Sequence, residues 1–239
     1  MSVQHVPRLS AYDCQERAAS DILGRIQGEA PRRIADLRSE PWSMKALLAH
    51  RFPDAEVENF ELSQLDNGAS PGNGDTFGLI HSNVDLDLLP SLGRFLPKLL
   101  RHVRSDGHLA AHFPNNLYEP NRSLARMVAA DGPWAETLLP IAKTRPFNTT
   151  MEEIYSLLAP LCASVEIWET TYLFALTGVE AIVDFMKAGS LAPFLAPLEL
   201  RSRREFLERY LTELKRVYPA EPDGAVLLRH PRIFVVARR

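Results

Sequence analysis

A chemical reading of this sequence starts at His112. It stands near the end of His108-Leu109-Ala110-Ala111-His112-Phe113, a run that reads as a buried strand, and open α/β sheets place their ligands beyond the carboxyl ends of such strands. An imidazole there could serve as a general acid or base near neutral pH, or could be a hydrogen-bonded structural histidine. Asn116 and Glu119 follow in a loop. Either could hydrogen-bond a ligand; equally, Asn116 could cap a turn and Glu119, just before Pro120, could cap the next helix. Further along, Trp168, Glu169, Thr170 and Tyr172 alternate aromatic and polar side chains. That alternation suits the lining of a pocket, and it suits a strand with one face in the core equally well. His81 and His108 have no partners at metal-ligand spacing, so no metal is expected. The two cysteines, Cys14 and Cys162, fall outside any nucleophile, CxxC or Cys/His pattern. The basic run from Arg201 to Arg204 reads as the solvated face of a charged helix.

Such side chains need a framework, and the composition supplies one. The chain has 239 residues, 46% hydrophobic and 24% charged, which is globular composition with enough apolar mass for a substantial core. A net charge of −3 and a pI near 6.2 leave no positive excess for neutralising phosphates, so nucleic acid is not an expected partner. No stretch approaches the roughly 18 consecutive apolar residues of a membrane span, and no membrane partner is expected. The first residues, Met1-Ser2-Val3-Gln4-His5, lack a charged-then-apolar leader pattern, so the expected location is the cytoplasm. Nothing in the sequence speaks to oligomeric state.

The order of elements is that of an α/β protein. Tyr12 to Ile26 carries Ala18, Ile22, Leu23 and Ile26 at helical spacing. Arg32 to Leu37 is a short strand containing Asp36, Ser43 to Arg51 a helix, and Glu56 to Leu62 an alternating strand; strand, helix, strand is the unit of a parallel sheet. Ser63 to Thr76 then holds three of the 12 glycines and almost nothing apolar, a turn-rich loop. Phe77 to Asn83 reads as a buried strand, Leu92 to Val103 as a helix kinked or shortened by Pro97, and Ser105-Asp106-Gly107 as a turn before the next strand. Helices follow at Arg122–Ala130, Met151–Leu158, Val179–Ala188 and Arg203–Tyr218. Ala225–Leu228 and Arg232–Ala237 close the chain as two β-rich runs that could pair as a hairpin at the sheet edge.

Six segments in this order carry a resemblance. They are APRRIADL at 30–37, LLAHRFPDAEV at 47–57, FPNNLYEP at 113–120, VAADGPWA at 128–135, VEIWETTY at 165–172 and PRIFVVARR at 231–239. Together they resemble the trans-aconitate methyltransferases, class I enzymes that move a methyl group from S-adenosylmethionine (SAM) to a small carboxylic acid. The resemblance runs from about Asp13 to the end of the chain. It implies a Rossmann-like, mostly parallel sheet at 1–120, a helical substrate cap at 121–225, and a strand at 226–239 returning to the sheet.

The departures from the family pattern cluster on the cofactor side. A glycine-rich turn resembling DLGCGPGN is here Asp36-Leu37-Arg38-Ser39-Glu40-Pro41-Trp42-Ser43, with Arg38, Glu40 and Trp42 where glycines are usual. Glycines there permit close backbone approach to a nucleotide, so Trp42 is expected to plug the vacated space or to offer a new platform. The segment after Glu61 is about half the usual length, shortening the first half of the SAM-binding unit at 62–76. Gln15-Glu16-Arg17-Ala18 keeps one arginine of two. By resemblance, Arg17, Asp36, Glu61 and Trp42 form the cofactor perimeter, vestigial or altered. On the substrate side LIFANAALQWLPD corresponds to residues 79–90 and keeps Asn83, while Asp87-Leu88 replaces Gln-Trp. Gln-Met-Pro-Asp-Asn has become His112-Phe113-Pro114-Asn115-Asn116, Thr-Thr-Tyr-Tyr-His has become residues 170–174, and Ala192 stands for an arginine. A less anionic ligand than a tricarboxylate is implied.

These departures lead to the expectation of a methyltransferase-fold protein with a degenerate SAM site and no cofactor. It would bind a small organic acid or related metabolite, or transform it by acid–base chemistry such as isomerisation, cyclisation, elimination or decarboxylation. His112 and Glu119 would be catalytic, and Asn83, Asn116, Trp168, Thr170 and Tyr172 would contact the substrate. Two alternatives stand beside it: an active SAM-dependent carboxyl O-methyltransferase, and a non-catalytic partner of another protein.

Overall fold

A computed structural model describes residues 11–38, 43–61, 76–83, 92–143, 150–187 and 189–239. Helix α1 (Ala11–Leu23) is followed by β1 (Arg33–Arg38), α2 (Lys45–Arg51) and β2 (Glu56–Glu61). Next come β3 (Phe77–Asn83), α3 (Leu92–Leu100) and β4 (Val103–Pro114). Helices α4 (Pro120–Ala130), α5 (Ala135–Lys143) and α6 (Met151–Leu158) lead to β5 (Ser164–Leu176). The chain continues through α7 (Val179–Lys187), the single turn α8 (Ala192–Leu195) and α9 (Leu200–Val217) to β6 (Val226–Arg238). The glycine-rich stretch and Trp42 lie outside the described residues.

The strands form one sheet in the order β2-β1-β3-β4-β6-β5. β1 pairs in parallel with both β2 and β3, and β3 pairs in parallel with β4. β6 lies antiparallel to β4. All seven residues of β3 are buried, as expected for a strand with both faces covered. One face carries Ala35, Leu37, Ile80, Leu109, Ala111, Ile233 and Val235, which share a core with Leu96 and Leu99 of α3 and Ile154 and Leu158 of α6. α6 starts with a full capping box in which Thr150 and Glu153 each satisfy the other's backbone N–H.

Two sequence expectations change. Ser105–Gly107 is a bulge inside β4 rather than a turn before it: the β3–β4 register passes from Phe77↔Val103 to Leu79↔His108, and Asp106 takes a φ of 65°. Gly107 is obligatory there, because a Cβ would meet the Gly78 carbonyl at 2.9 Å. The two closing β runs are one strand, not a hairpin. The β4 ladder begins at Arg232, opposite Pro114, so the missing N–H of Pro231 costs no bond to β4.

The chain divides into two compact units. The sheet unit comprises the described residues of Tyr12–Asn115, Phe147–Thr170 and Arg232–Arg239, and the second unit those of Asn116–Pro146 and Thr171–Pro231. The helical segment therefore does not run unbroken from 121 to 225, since α6 belongs to the core beneath the sheet. Within the second unit the Phe206 ring packs against Trp134, Phe194 and Tyr210. Tyr210 donates its hydroxyl to the Asn121 carbonyl.

Candidate functional site

Strand side chains alternate faces, so the register decides which residues meet. Asp36 pairs with His81, His81 with Ala110, and His112 with Phe234. Asp36, His81, Asn83, His112 and Arg232 thus fall on the same face, near the carboxyl ends of β1, β3 and β4. They form one continuous chain of contacts. His81 Nδ1 lies 2.9 Å from Asp36 Oδ1, His81 Nε2 lies 3.3 Å from His112 Nε2, and Arg232 Nη2 donates to His112 Nδ1 at 2.8 Å. Asp36 Oδ2 accepts the Met44 backbone N–H at 2.8 Å, which ties the end of β1 to the start of α2. Asp36, His81, His112 and Arg232 are each 0% exposed.

The hydrogen-bonding capacities of the two ends set every proton between them. A guanidinium only donates, so His112 Nδ1 must be the acceptor and its proton sits on Nε2. That proton is donated to His81 Nε2, and His81 then donates Nδ1–H to the Asp36 carboxylate. The Asp36 carboxylate and the Arg232 guanidinium thus stand at the two ends of one buried hydrogen-bonded chain, and each charge is met by polar partners inside the protein. Burial, then the Arg232 charge and then His81 hold His112 well below its ordinary pKa. In this arrangement His112 has no lone pair left for a substrate.

Arg232 Nη2 also donates to Asn83 Oδ1 at 3.1 Å. Asn83 ends β3, is 4% exposed, and its Nδ2 is buried with no hydrogen-bond partner among the described residues. Because β1 is flanked by β2 on one side and β3 on the other, the connections diverge at its carboxyl end, the topological switch point where open sheets bind ligands. Arg38 lies in register with Asn83 on one side and with Glu61 on the other. Glu61 is the last residue of β2.

The remaining expected residues are dispersed. Arg17 is exposed on α1. Trp168 and Thr170 are part-buried on β5; the Trp168 ring stacks on Phe234 at 5.0 Å and carries the Arg25 guanidinium at 5.0 Å. Asn116, Glu119 and Tyr172 belong to the second unit. The Asn116 carbonyl accepts the Glu119 N–H, the Glu119 carboxylate stands 3.6 Å from Arg229, and buried Tyr172 stacks on Phe174. Of the residues that the sequence singles out, the structure brings Asp36, Asn83 and His112 together, and it adds His81 and Arg232 as their partners. The available signal was a polar residue inside an otherwise apolar strand, as in FGLIHSN and RIFVVA.

A cavity of about 660 Å³ opens instead at the amino-terminal end of β4. There Arg25, Arg104 and Arg238 are each paired, with Glu166, Glu29 and Asp106. Its charges balance and select no ligand. Among the described residues no cluster of three or more His, Cys, Asp or Glu has metal-binding geometry, and no helix is long and apolar enough to cross a membrane.

A mostly parallel six-stranded sheet with this order and a penultimate antiparallel strand is the fold of the class I methyltransferases. Among solved structures, the chain matches the MccD protein with a TM-score of 0.52 at 12% identity, over 94% of this chain and 97% of that one. It matches the YcgJ protein of Bacillus subtilis with a TM-score of 0.51 at 8% identity, over 94% and 98%. No family model matches the chain. Curated sequences are much closer. The trans-aconitate 2-methyltransferase of Methylobacterium radiotolerans is 37% identical over 245 residues, covering 95% of this chain and 94% of that protein. The enzyme of that name from Yersinia pseudotuberculosis is 36% identical over 92% of each chain. The protein belongs to the trans-aconitate 2-methyltransferase family.

That membership corrects the leading functional expectation. Relatives aligned over nearly their whole length are named for methyl transfer, which overturns the reading of a SAM-independent acid–base protein and favours its alternative, an active methyltransferase. The expectation that no cofactor is used loses its support with it.

Proposed function

We propose that the protein is a SAM-dependent methyltransferase that esterifies a carboxylate of a small organic acid, with trans-aconitate the first acid to test. The observation that carries this reading is the 37% identity to a trans-aconitate 2-methyltransferase across 95% of the chain. The switch-point residues fit a nucleoside ligand. An acidic residue ending the second strand suits a ribose diol, and Glu61 holds that position. The buried, unsatisfied Asn83 Nδ2 is a donor in need of an acceptor at the same edge. Asn83 would contact a bound ligand at this edge, while Asp36, through Met44, fixes the entry to α2.

Bound SAM supplies a methyl group activated by a sulfonium. A carboxylate is already ionised and nucleophilic at neutral pH, so the protein has no proton to remove and its task is orientation, which can contribute about 7–11 kcal/mol to lowering a barrier. A His112 whose nitrogens are both engaged is consistent with that division of labour. The test is calorimetric titration of SAM and S-adenosylhomocysteine, then mass spectrometry of a panel of tri-, di- and monocarboxylic acids incubated with SAM. Cofactor binding with a methyl ester of one panel member is expected. No binding at millimolar cofactor, or no ester from any acid, would overturn the reading.

A further inference from the structure

Asn83 has two possible amide orientations, and its neighbours permit one. The atom facing Arg232 Nη2 at 3.1 Å must be the carbonyl oxygen, because a guanidinium accepts nothing. The NH2 group is thereby turned away from Arg232 and is left buried without a partner among the described residues. Arg232 is in turn held by His112 Nδ1, which can accept only because the His112 proton is drawn to Nε2 by His81 and, through it, by Asp36. Four strands contribute to this arrangement: β1, β3, β4 and β6.

We propose that Asp36, His81, His112 and Arg232 act as a tautomer-locked positioning relay that holds the Asn83 NH2 group at the switch point as the donor to a carboxylate oxygen. This rests on the functional reading above, in which the site holds two carboxylates: that of the organic acid and that of the methionine portion of SAM. His81, His112 and Arg232 are positioning residues, and Asn83 is the group that touches the ligand. The chemistry requires of position 112 one acceptor towards Arg232 and one donor towards His81. A glutamine side chain carries both; a leucine carries neither.

The test has two arms. In the protein as it stands, NMR of histidine ring nitrogens at pH 7 should find His112 protonated at Nε2 alone and His81 at Nδ1 alone. The opposite tautomer or an imidazolium at either position would overturn the relay. Titrations of S-adenosylhomocysteine alone, and of trans-aconitate in its presence, are then compared across His112→Gln, His112→Leu and Asn83→Asp. Losing one hydrogen bond to a charged group weakens binding by roughly tenfold or more. Such a loss is expected in His112→Leu and Asn83→Asp, with His112→Gln within about threefold of the parent protein on that scale. A loss confined to trans-aconitate assigns the donor to the acid; a loss confined to S-adenosylhomocysteine assigns it to the cofactor's amino-acid end. Parent-like binding by Asn83→Asp, or equal losses in His112→Gln and His112→Leu, would refute the proposal. If His112→Leu does not fold, Asn83→Asp and the ring tautomers still decide it. If the parent protein binds neither compound, the functional reading fails and the tautomers alone judge the relay.

Discussion

Replacing Asp36 by asparagine changes one oxygen to an NH2 group and should disrupt the whole buried chain. With its amide oxygen towards the Met44 N–H, the new NH2 group faces His81 Nδ1–H. With the amide reversed, it faces Met44 instead. Shifting the His81 proton to Nε2 only moves the conflict to His112, and Arg232 at the far end cannot accept. One donor-to-donor encounter is therefore unavoidable, at about 1–3 kcal/mol for an unsatisfied buried group. Asp36→Asn should therefore lose about 1–3 kcal/mol, a sizeable part of an ordinary domain's roughly 5–15 kcal/mol. Urea unfolding followed by circular dichroism measures this as a fall in midpoint at constant slope. Ser43→Ala is the control: its hydroxyl touches Asp36 Oδ2 at 3.3 Å without being part of the relay, and its removal should cost under about 1 kcal/mol. If Asp36→Asn loses no more than Ser43→Ala, the proton assignment is wrong.

Acid should destabilise the protein through the same residues. The folded pKa of His112 is lowered by burial, Arg232 and His81, and those of His102 and His108 are lowered mainly by burial. Each unfolded histidine takes up a proton near pH 6.5, so the stabilisation is complete above that pH and falls as pH drops towards the folded values, by up to about 1.4 kcal/mol per unit per site. Thermal melts from pH 8 to 5 should show the decline, and His112→Gln should show a shallower one. At the alkaline end, burial raises Tyr210 and pushes Tyr218 up to about 12. Their contribution is intact below pH 10 and lost above it, so tyrosinate absorbance should rise together with unfolding. Thr150→Ala removes the α6 capping box and should cost about 1 kcal/mol by urea unfolding. Gly107→Ala forces a Cβ to within 2.9 Å of both the Gly78 carbonyl and Val103, and should cost about 1–3 kcal/mol.

Local periodicity is written in adjacent residues, so elements built on it were legible. Phe77–Asn83 and Met151–Leu158 match the structure at both ends, and α9 lies within three residues of its expected start. The β4 bulge was misread because Asp-Gly is turn chemistry in isolation, and only pairing with β3 shows that the strand continues through it. The break at His230-Pro231 was misread for a similar reason. At the site, Asp36 and His112 drew notice as polar residues ending apolar runs. His81 has no partner nearby in sequence, because its partners sit on neighbouring strands. Arg232 opens the apolar run RIFVVA, which marks it as unusual, but it is far from Asn83 in sequence and nothing local names the buried groups it bonds. Sheet order and register, which bring these residues together, are properties of the whole fold.

The place of β6 has a consequence for how the chain matures. It is the last strand in chain order, yet it lies between β4 and β5. During synthesis β5 leaves the ribosome before the strand it pairs with is made, and Asn83 and His112 wait for the Arg232 guanidinium that bonds both. Arrival of β6 bridges β5 to the sheet and delivers that donor in one event. Pairings this distant in sequence close slowly, and open strand edges invite aggregation while they wait. The nascent chain should therefore depend on chaperones until β6 is made. Once it has inserted, the sheet unit should open all at once, since releasing β6 strips the β4 ladder and leaves His112 Nδ1 and Asn83 Oδ1 without their shared donor.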